Sequence, residues 1–182
     1  MLLRMGMIVM IKKFLPDVYK KDVFSINYNK LKENNIKCLL FDLDNTISPA
    51  KEKLLCEKTK ELFDKLKKNF KIILFSNNFE KRVREFSLFY DVEFEYLSLK
   101  PLSHKYNKIL KVNNYSPNEV AAIGDQIVTD IYGGNKAGMV TILVDPISVI
   151  DEKETFINRK IEKIIFKKFE KKGLFKKGHY YD

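Results

Sequence analysis

The sequence predicts an α/β protein built on a central parallel sheet of about five strands, with helices on both faces. Two observations carry that prediction. Short apolar runs alternate along the chain with longer segments whose apolar residues recur at helical spacing, the order that right-handed strand–helix–strand units produce. Three of these runs are also followed at once by a polar residue able to do chemistry: Asp42, Ser76 and Asp125. Ligands of open parallel sheets bind beyond the carboxyl ends of the strands, so these residues are expected to meet at one edge.

Each element has its own signal. Ile36 to Asp42, Ile-Lys-Cys-Leu-Leu-Phe-Asp, reads as a buried strand ending in a carboxylate. Lys53 to Phe70 holds Leu54, Leu55, Leu62, Phe63 and Leu66 at helical spacing among lysines. Ile72 to Phe75 is a second strand closed by Ser76-Asn77-Asn78, and Glu80 to Tyr90 reads as a helix. Val92 to Tyr96 alternates apolar residues with Glu93 and Glu95, which predicts a strand with one exposed face. Ser103 to Val112 is the next helix and Val120 to Ile123 the fourth strand. Val128 to Ala137 is a helix stopped by Gly138, and Val140 to Val144 is the fifth strand, stopped by Asp145-Pro146.

Residues 36–150 are therefore expected to form the core. Residues 1–35 form an N-terminal amphipathic segment, with Phe14, Leu15, Val18, Tyr19, Val23 and Phe24 among lysines. Residues 151–182 form a basic C-terminal helix and tail, packed on the core or appended to it. The apolar stretch from Met1 to Ile11 is too short to span a bilayer, which takes about 20 apolar residues, and it lacks the cleavage site of a secretory signal. Four of the five methionines fall in this stretch, and one reading is a translation start at Met10.

Composition narrows the function classes. With 45% hydrophobic and 32% charged residues the chain is expected to be globular. Its formal net charge of +10 favours anionic partners: phosphorylated substrates, nucleic acid or an acidic membrane surface. Two isolated cysteines, Cys38 and Cys56, make neither a disulfide framework nor a zinc site, which fits a reducing cytosolic compartment. There is no glycine-rich phosphate loop and no His-Cys cluster.

Asp42 and Asp44 stand two apart on a turn leaving a strand. Beside a divalent cation a carboxylate can be held in line with a phosphorus atom and attack it, giving an acyl-phosphate. A second carboxylate two residues on can protonate the leaving alcohol and then take a proton from the hydrolytic water. Taken alone, such a pair also reads as an ordinary polar turn, to which Thr46 would add a hydrogen bond. Ser76, with Asn77, offers a hydroxyl and backbone N–H groups to phosphate oxygens. Lys100 supplies a point charge for a transferring phosphoryl group. Asp125 pairs with Asp42 as a magnesium ligand, and a backbone carbonyl, that of Asp44, completes the protein's share. Asp130 either reaches the metal through water, orients Lys100, or complements the dipole of its own helix.

Together these residues resemble the haloacid dehalogenase (HAD) superfamily. Phe41-Asp42-Leu43-Asp44-Asn45-Thr46 is similar to its first motif, Ser76-Asn77-Asn78 to the second and Lys100 to the third. Gly124-Asp125-Gln126 through Asp130 is similar to the fourth. The resemblance implies a Rossmann-like fold and, because Asp44 is kept where dehalogenases lack it, a phosphatase. Lys12-Lys13-Phe14-Leu15-Pro16-Asp17, Lys100-Pro101 and Thr129-Asp130-Ile131-Tyr132 are further similar to YqeG-type subfamily IIIA phosphatases, relatives of mitochondrial phosphatidylglycerophosphate phosphatases. That resemblance implies a Mg2+ cofactor and points to a lipid substrate at the cytoplasmic face of a membrane.

The intervals from Thr46 to Ser76 and from Ser76 to Lys100 are too short for the cap domain that many relatives insert. An uncapped site suits a phosphate carried on something large. The C-terminal segment from Phe156 to Lys177, with nine Lys or Arg against two Glu, fits a helix lying on anionic lipid. It also fits a helix docked on the sheet through Ile157, Ile161, Ile164, Ile165 and Phe169. Two alternatives stay open: a phosphatase of a soluble nucleotide or sugar phosphate, and an RNA- or ribosome-associated binding protein with a vestigial site. Oligomeric state is not legible.

Overall fold

A computed structural model describes residues 11–50, 52, 54–148 and 155–182. The reading of Met10 as a start codon lies outside the described residues.

The strands are β1 (Val18–Lys20), β2 (Cys38–Phe41), β3 (Lys71–Phe75), β4 (Glu93–Glu95), β5 (Val120–Gly124) and β6 (Val140–Val144). They form one sheet in the order β1-β6-β5-β2-β3-β4, and every pairing is parallel. The expected five strands are all present. The sixth is β1, which lies in the segment expected to stand outside the core. It pairs with β6 in the register Val18 to Ile142.

The helices are α1 (Tyr28–Glu33), α2 (Glu57–Leu66), α3 (Glu80–Tyr90), α4 (Ser103–Asn113), α5 (Tyr132–Ala137) and α6 (Thr155–Lys171). Alternation along the strands divides the core. Leu39, Phe41, Leu74 and Ile123 face Phe63, Val83, Phe86 and Tyr90, so α2 and α3 cover this side together with Leu31 of α1. Leu40, Ile73 and Ala122 face Tyr106 and Ile109 of α4. On that second side Leu143 and Tyr19 pack with Ile165 and Phe169 of α6. Burying each such side chain contributes about 1.5–3 kcal/mol. α6 is thus docked on the sheet through Ile165 and Phe169, while Ile157, Ile161 and Ile164, expected in the same stripe, are exposed.

The chain leaves β2 toward β3 and β4, then crosses back to β5 and β6. The strand order therefore reverses between β2 and β5, and a crevice opens at their carboxyl ends. Asp42 and Asp125 are the first residues beyond those two strands. Among the described residues, one helix fills the interval from Thr46 to Ser76, and α3 with β4 fills the next, so neither holds a separate lobe.

The helix expected over Val128–Ala137 is split. Ile127–Ile131 forms a wide turn in which Ile131 N–H donates to Gln126 C=O, five residues back, at 3.3 Å, before α5 begins. Gly138, at φ +76, ends α5 as expected. Gly133 and Gly134 are set by packing. A Cβ on Gly133 would lie 2.7 Å from the Tyr106 hydroxyl, and one on Gly134 would lie 2.7 Å from Thr141 Cγ2.

Candidate active site

The first turn beyond β2 is shaped by Asn45, which has φ +63, a conformation Asn tolerates better than most residues. Its side-chain oxygen accepts from Ala50 N–H (3.2 Å), and its N–H donates to Ser48 C=O (2.7 Å). This loop presents Asp42 to the crevice and turns Asp44 toward α3. Asp42 N–H donates to Ile123 C=O at 2.8 Å, which ties the nucleophile candidate to β5.

Lys100 Nζ lies 2.5 Å from Asp42 Oδ1 and 2.6 Å from Asp130 Oδ1, and all three residues are buried. Thr46 Oγ donates to Asp42 Oδ2 (3.1 Å) and reaches Asp125 Oδ1 (3.4 Å). Carboxylate oxygens of Asp42, Asp125 and Asp130 come within 4.8 Å of one another. Five of the expected site residues, Asp42, Thr46, Lys100, Asp125 and Asp130, are therefore in mutual contact. Asp130 reaches Lys100 because the wide turn folds its carboxylate back, where it accepts from Gln126 N–H at 3.2 Å. Gly124 makes room for it, since a Cβ there would lie 2.2 Å from Asp130 Cγ.

The others stand around this centre. Ser76 is buried, and its hydroxyl accepts from Asn78 N–H at 3.1 Å. Asn77 clasps the backbone of Lys100: its oxygen accepts from Lys100 N–H (2.8 Å) and its amide donates to Lys100 C=O (3.2 Å). Its side chain thus positions the lysine loop. The Lys100–Pro101 peptide bond is cis.

Four residues outside the expected site set complete the site. Arg82 of α3 donates from Nε to Asp44 Oδ1 at 2.8 Å, and its other nitrogens reach the carbonyls of Glu52 and Pro49. Asn78 holds the other Asp44 oxygen at 3.2 Å. Arg159 of α6 pairs with the Asp125 carboxylate and with Glu162 (2.9 Å), and Glu162 accepts from Ile127 N–H at 2.6 Å. The available signal was the residue type. The chain has four arginines, Arg4, Arg82, Arg84 and Arg159, among 34 Lys and Arg, and two of those four bind site carboxylates.

Burial pushes the Asp42 carboxyl well above the ordinary range against the pull of Lys100, and Asp130, Asp125 and Asp44 push it the same way. Burial likewise pushes Asp125 up to about 7, with Arg159 opposing. Lys100 is desolvated too, yet Asp130 and Asp42 outweigh that cost and raise it, so it stays charged. Asp42, Asp44, Asp125, Asp130 and Glu162 face Lys100, Arg82 and Arg159, a formal excess of two negative charges. A cluster of hard oxygen donors with that excess fits one divalent cation. A separate cavity, lined by Asp17, Val18, Ile26, Asn27, Lys30 and Leu31, lies at the opposite, amino end of the sheet and holds none of these residues.

The family described as "Mitochondrial PGP phosphatase" matches residues 4–148. The chain is 37% identical to the "Probable phosphatase YqeG" of Bacillus subtilis (strain 168) over 166 residues, covering 90% of this chain and 96% of that protein. It is 28% identical to "Phosphatidylglycerophosphate phosphatase 1, chloroplastic/mitochondrial" of Arabidopsis thaliana, across 88% of this chain and 49% of that one. The crystal structure of an uncharacterized protein from Listeria monocytogenes serotype 4b shares the fold alone, with a TM-score of 0.51 at 17% identity over 65% of this chain and 84% of that one. A carboxylate cluster at the crevice of a parallel sheet, the matched span and a relative alike over nearly its whole length agree: the chain belongs to the PGP phosphatase family and is a HAD-type phosphatase of the YqeG kind.

Proposed function

We propose that the protein is a magnesium-dependent phosphomonoesterase that works through an aspartyl-phosphate on Asp42, with phosphatidylglycerophosphate as its substrate in phospholipid synthesis. The observation that carries the chemistry is the grouping of Asp42 with Lys100, Asp125 and Asp130, with Asp44 held two residues away. The choice of lipid is supported by the uncapped site and by the names that the family and the Arabidopsis relative carry.

Asp42 and Asp125, with the Asp44 carbonyl, would hold Mg2+, which when bound supplies positive charge to phosphoryl oxygens. An Asp42 carboxylate oxygen attacks phosphorus and the ester P–O bond breaks. Asp44, in its acid form, gives its proton to the departing alkoxide. Water then attacks the phosphoryl group on Asp42 while Asp44 takes one of its protons. The acyl-phosphate bond breaks, inorganic phosphate leaves and both carboxyl groups are restored. Lys100, desolvated and charged, balances charge on the transferring group, and Asp130 with Asn77 holds it in place. Ser76, with the backbone N–H of Asn77, would offer hydrogen bonds to the same group. Asp44 is anchored at both oxygens by Arg82 and Asn78, so it would have to leave these partners to reach a leaving group.

The test is phosphate release with Mg2+ from phosphatidylglycerophosphate in detergent micelles, beside soluble nucleotide and sugar phosphates. Release from the lipid, abolished by Asp42→Asn, is expected. Turnover of soluble esters alone would sink the substrate and leave the chemistry standing.

A further inference from the structure

Exposed apolar side chains collect around the mouth of the site. Phe79, Leu99, Leu102 and Ile157 are 72%, 59%, 57% and 66% exposed. Phe79 follows Asn78, which holds Asp44. Leu99 and Leu102 flank Lys100, and Ile157 precedes Arg159, which holds Asp125. Exposed Ile147 donates its N–H to the carbonyl of Asn45 at 2.9 Å. These residues come from beyond the carboxyl ends of three strands, β3, β4 and β6, and from α6, so they surround one crevice and are not the scattered singles of an ordinary surface. The loop that carries the leucines keeps Leu97 and Leu99 at φ +42 and +54, a left-handed backbone that bulky side chains rarely adopt.

α6 continues the rim. Its inner face gives Ile165 and Phe169 to the core and Glu162 to Ile127. Its outer face shows Ile157, Ile161 and Ile164, with exposed Lys160, Lys167, Lys168 and Lys171 beside them. A helix whose only task was docking would have no use for three isoleucines in water. No helix among the described residues is long and apolar enough to cross a membrane.

We infer that this apolar rim, together with the outer face of α6, is the surface by which the protein lies on an anionic lipid bilayer with its active site facing the headgroups; the inference rests on the lipid-phosphate reading above. Charge selects the occupant. Isoleucines among lysines match a boundary where acyl chains end in phosphates. A second copy of a chain carrying +10 would be repelled instead. Whatever covers the rim must also deliver a phosphate into the opening it surrounds.

The experiment uses the full chain and vesicles of about one third phosphatidylglycerol in phosphatidylcholine, against phosphatidylcholine alone. Flotation should carry the protein with the anionic vesicles, less so as salt rises. The triple variant I157S/I161S/I164S should bind about tenfold more weakly while keeping its melting temperature and its turnover of p-nitrophenyl phosphate. The chain has no tryptophan, so single reporters can be placed freely. Phe79→Trp and Leu102→Trp should shift to the blue on vesicle addition. Val112→Trp, at the far end of α4, should not. No vesicle binding, undiminished binding by the triple variant, an equal response at Val112, or concentration-dependent self-association without vesicle binding would each overturn the proposal. Vesicle binding without hydrolysis of the micellar lipid would instead sink the substrate reading and leave the docking surface. Hydrolysis of micellar lipid without vesicle binding would do the reverse.

Discussion

Lys100 is a buried cation held between two buried carboxylates. Breaking such a group by removing one partner leaves charge stranded in a low dielectric and costs about 3–5 kcal/mol. Lys100→Met should therefore lower the stability of the metal-free protein by that order in urea titration and depress kcat at least a hundredfold. A stability unchanged by Lys100→Met would show that the contacts with Asp42 and Asp130 are dispensable. Arg82 anchors Asp44 and ties down the loop at Pro49 and Glu52, so its effect on turnover runs through Asp44. Arg82→Ala should reduce kcat about tenfold, equivalent to about 1.4 kcal/mol, with little change in KM. At this scale much of the site was legible, because Asp42, Ser76, Lys100 and Asp125 announce themselves by following apolar runs or preceding a proline. Arg82 and Arg159 were not, because a cation within a helix of a lysine-rich chain looks like solvated surface until its partner, which for Arg159 is 34 residues away, is placed.

At the level of elements, the turn after β5 shows what periodicity cannot see. Apolar spacing from Val128 to Ala137 is equally compatible with one regular helix and with a wide turn leading into a shorter one. What decides between them is the demand that Asp130 fold back over Gly124 toward Lys100. Gly124→Ala should push Asp130 off Lys100. Activity should fall by two orders of magnitude or more, and the melting temperature should drop by several degrees; an alanine variant with full kcat would refute this account of the turn. β1 was hidden for a different reason. Three residues among lysines, just after Pro16-Asp17, carry little pattern, and the partner strand begins more than a hundred residues later. The C-terminal stripe was read as one face, whereas packing divides it between core and solvent, because 17 residues of helix carry more apolar residues than one docking face can hold.

On the scale of the whole molecule, the buried acids make stability depend on pH in a direction opposite to that of most acidic groups. Asp125 is held up at about 7, and Asp42 and Glu162 are also raised, chiefly by burial. In the unfolded chain Asp125 loses its proton near pH 4, whereas the folded protein keeps it up to about 7, and Asp42 and Glu162 are shifted in the same direction. Between those limits the native state binds the extra proton of Asp125, so stability falls as pH rises, at about 1.4 kcal/mol per unit for that group, and its contribution levels off above about 7. The metal-free protein should melt higher at pH 6 than at pH 8, and Mg2+, which requires the ionised carboxylates, should raise the melting temperature more at pH 8. Calorimetry at the two values checks both, and a pH-independent melt would remove the buried acids as its cause. Opposite the short, glutamate-bearing edge at β4, the sheet ends at β1, where Tyr19 and Tyr181 exchange backbone hydrogen bonds of 3.0 and 2.9 Å and Lys20 pairs with Asp182. That last tyrosine works as a stopper on an otherwise open strand, so trimming Tyr181 and Asp182 should leave β1 free to recruit a neighbouring chain and turn a dispersed protein into one that aggregates on standing.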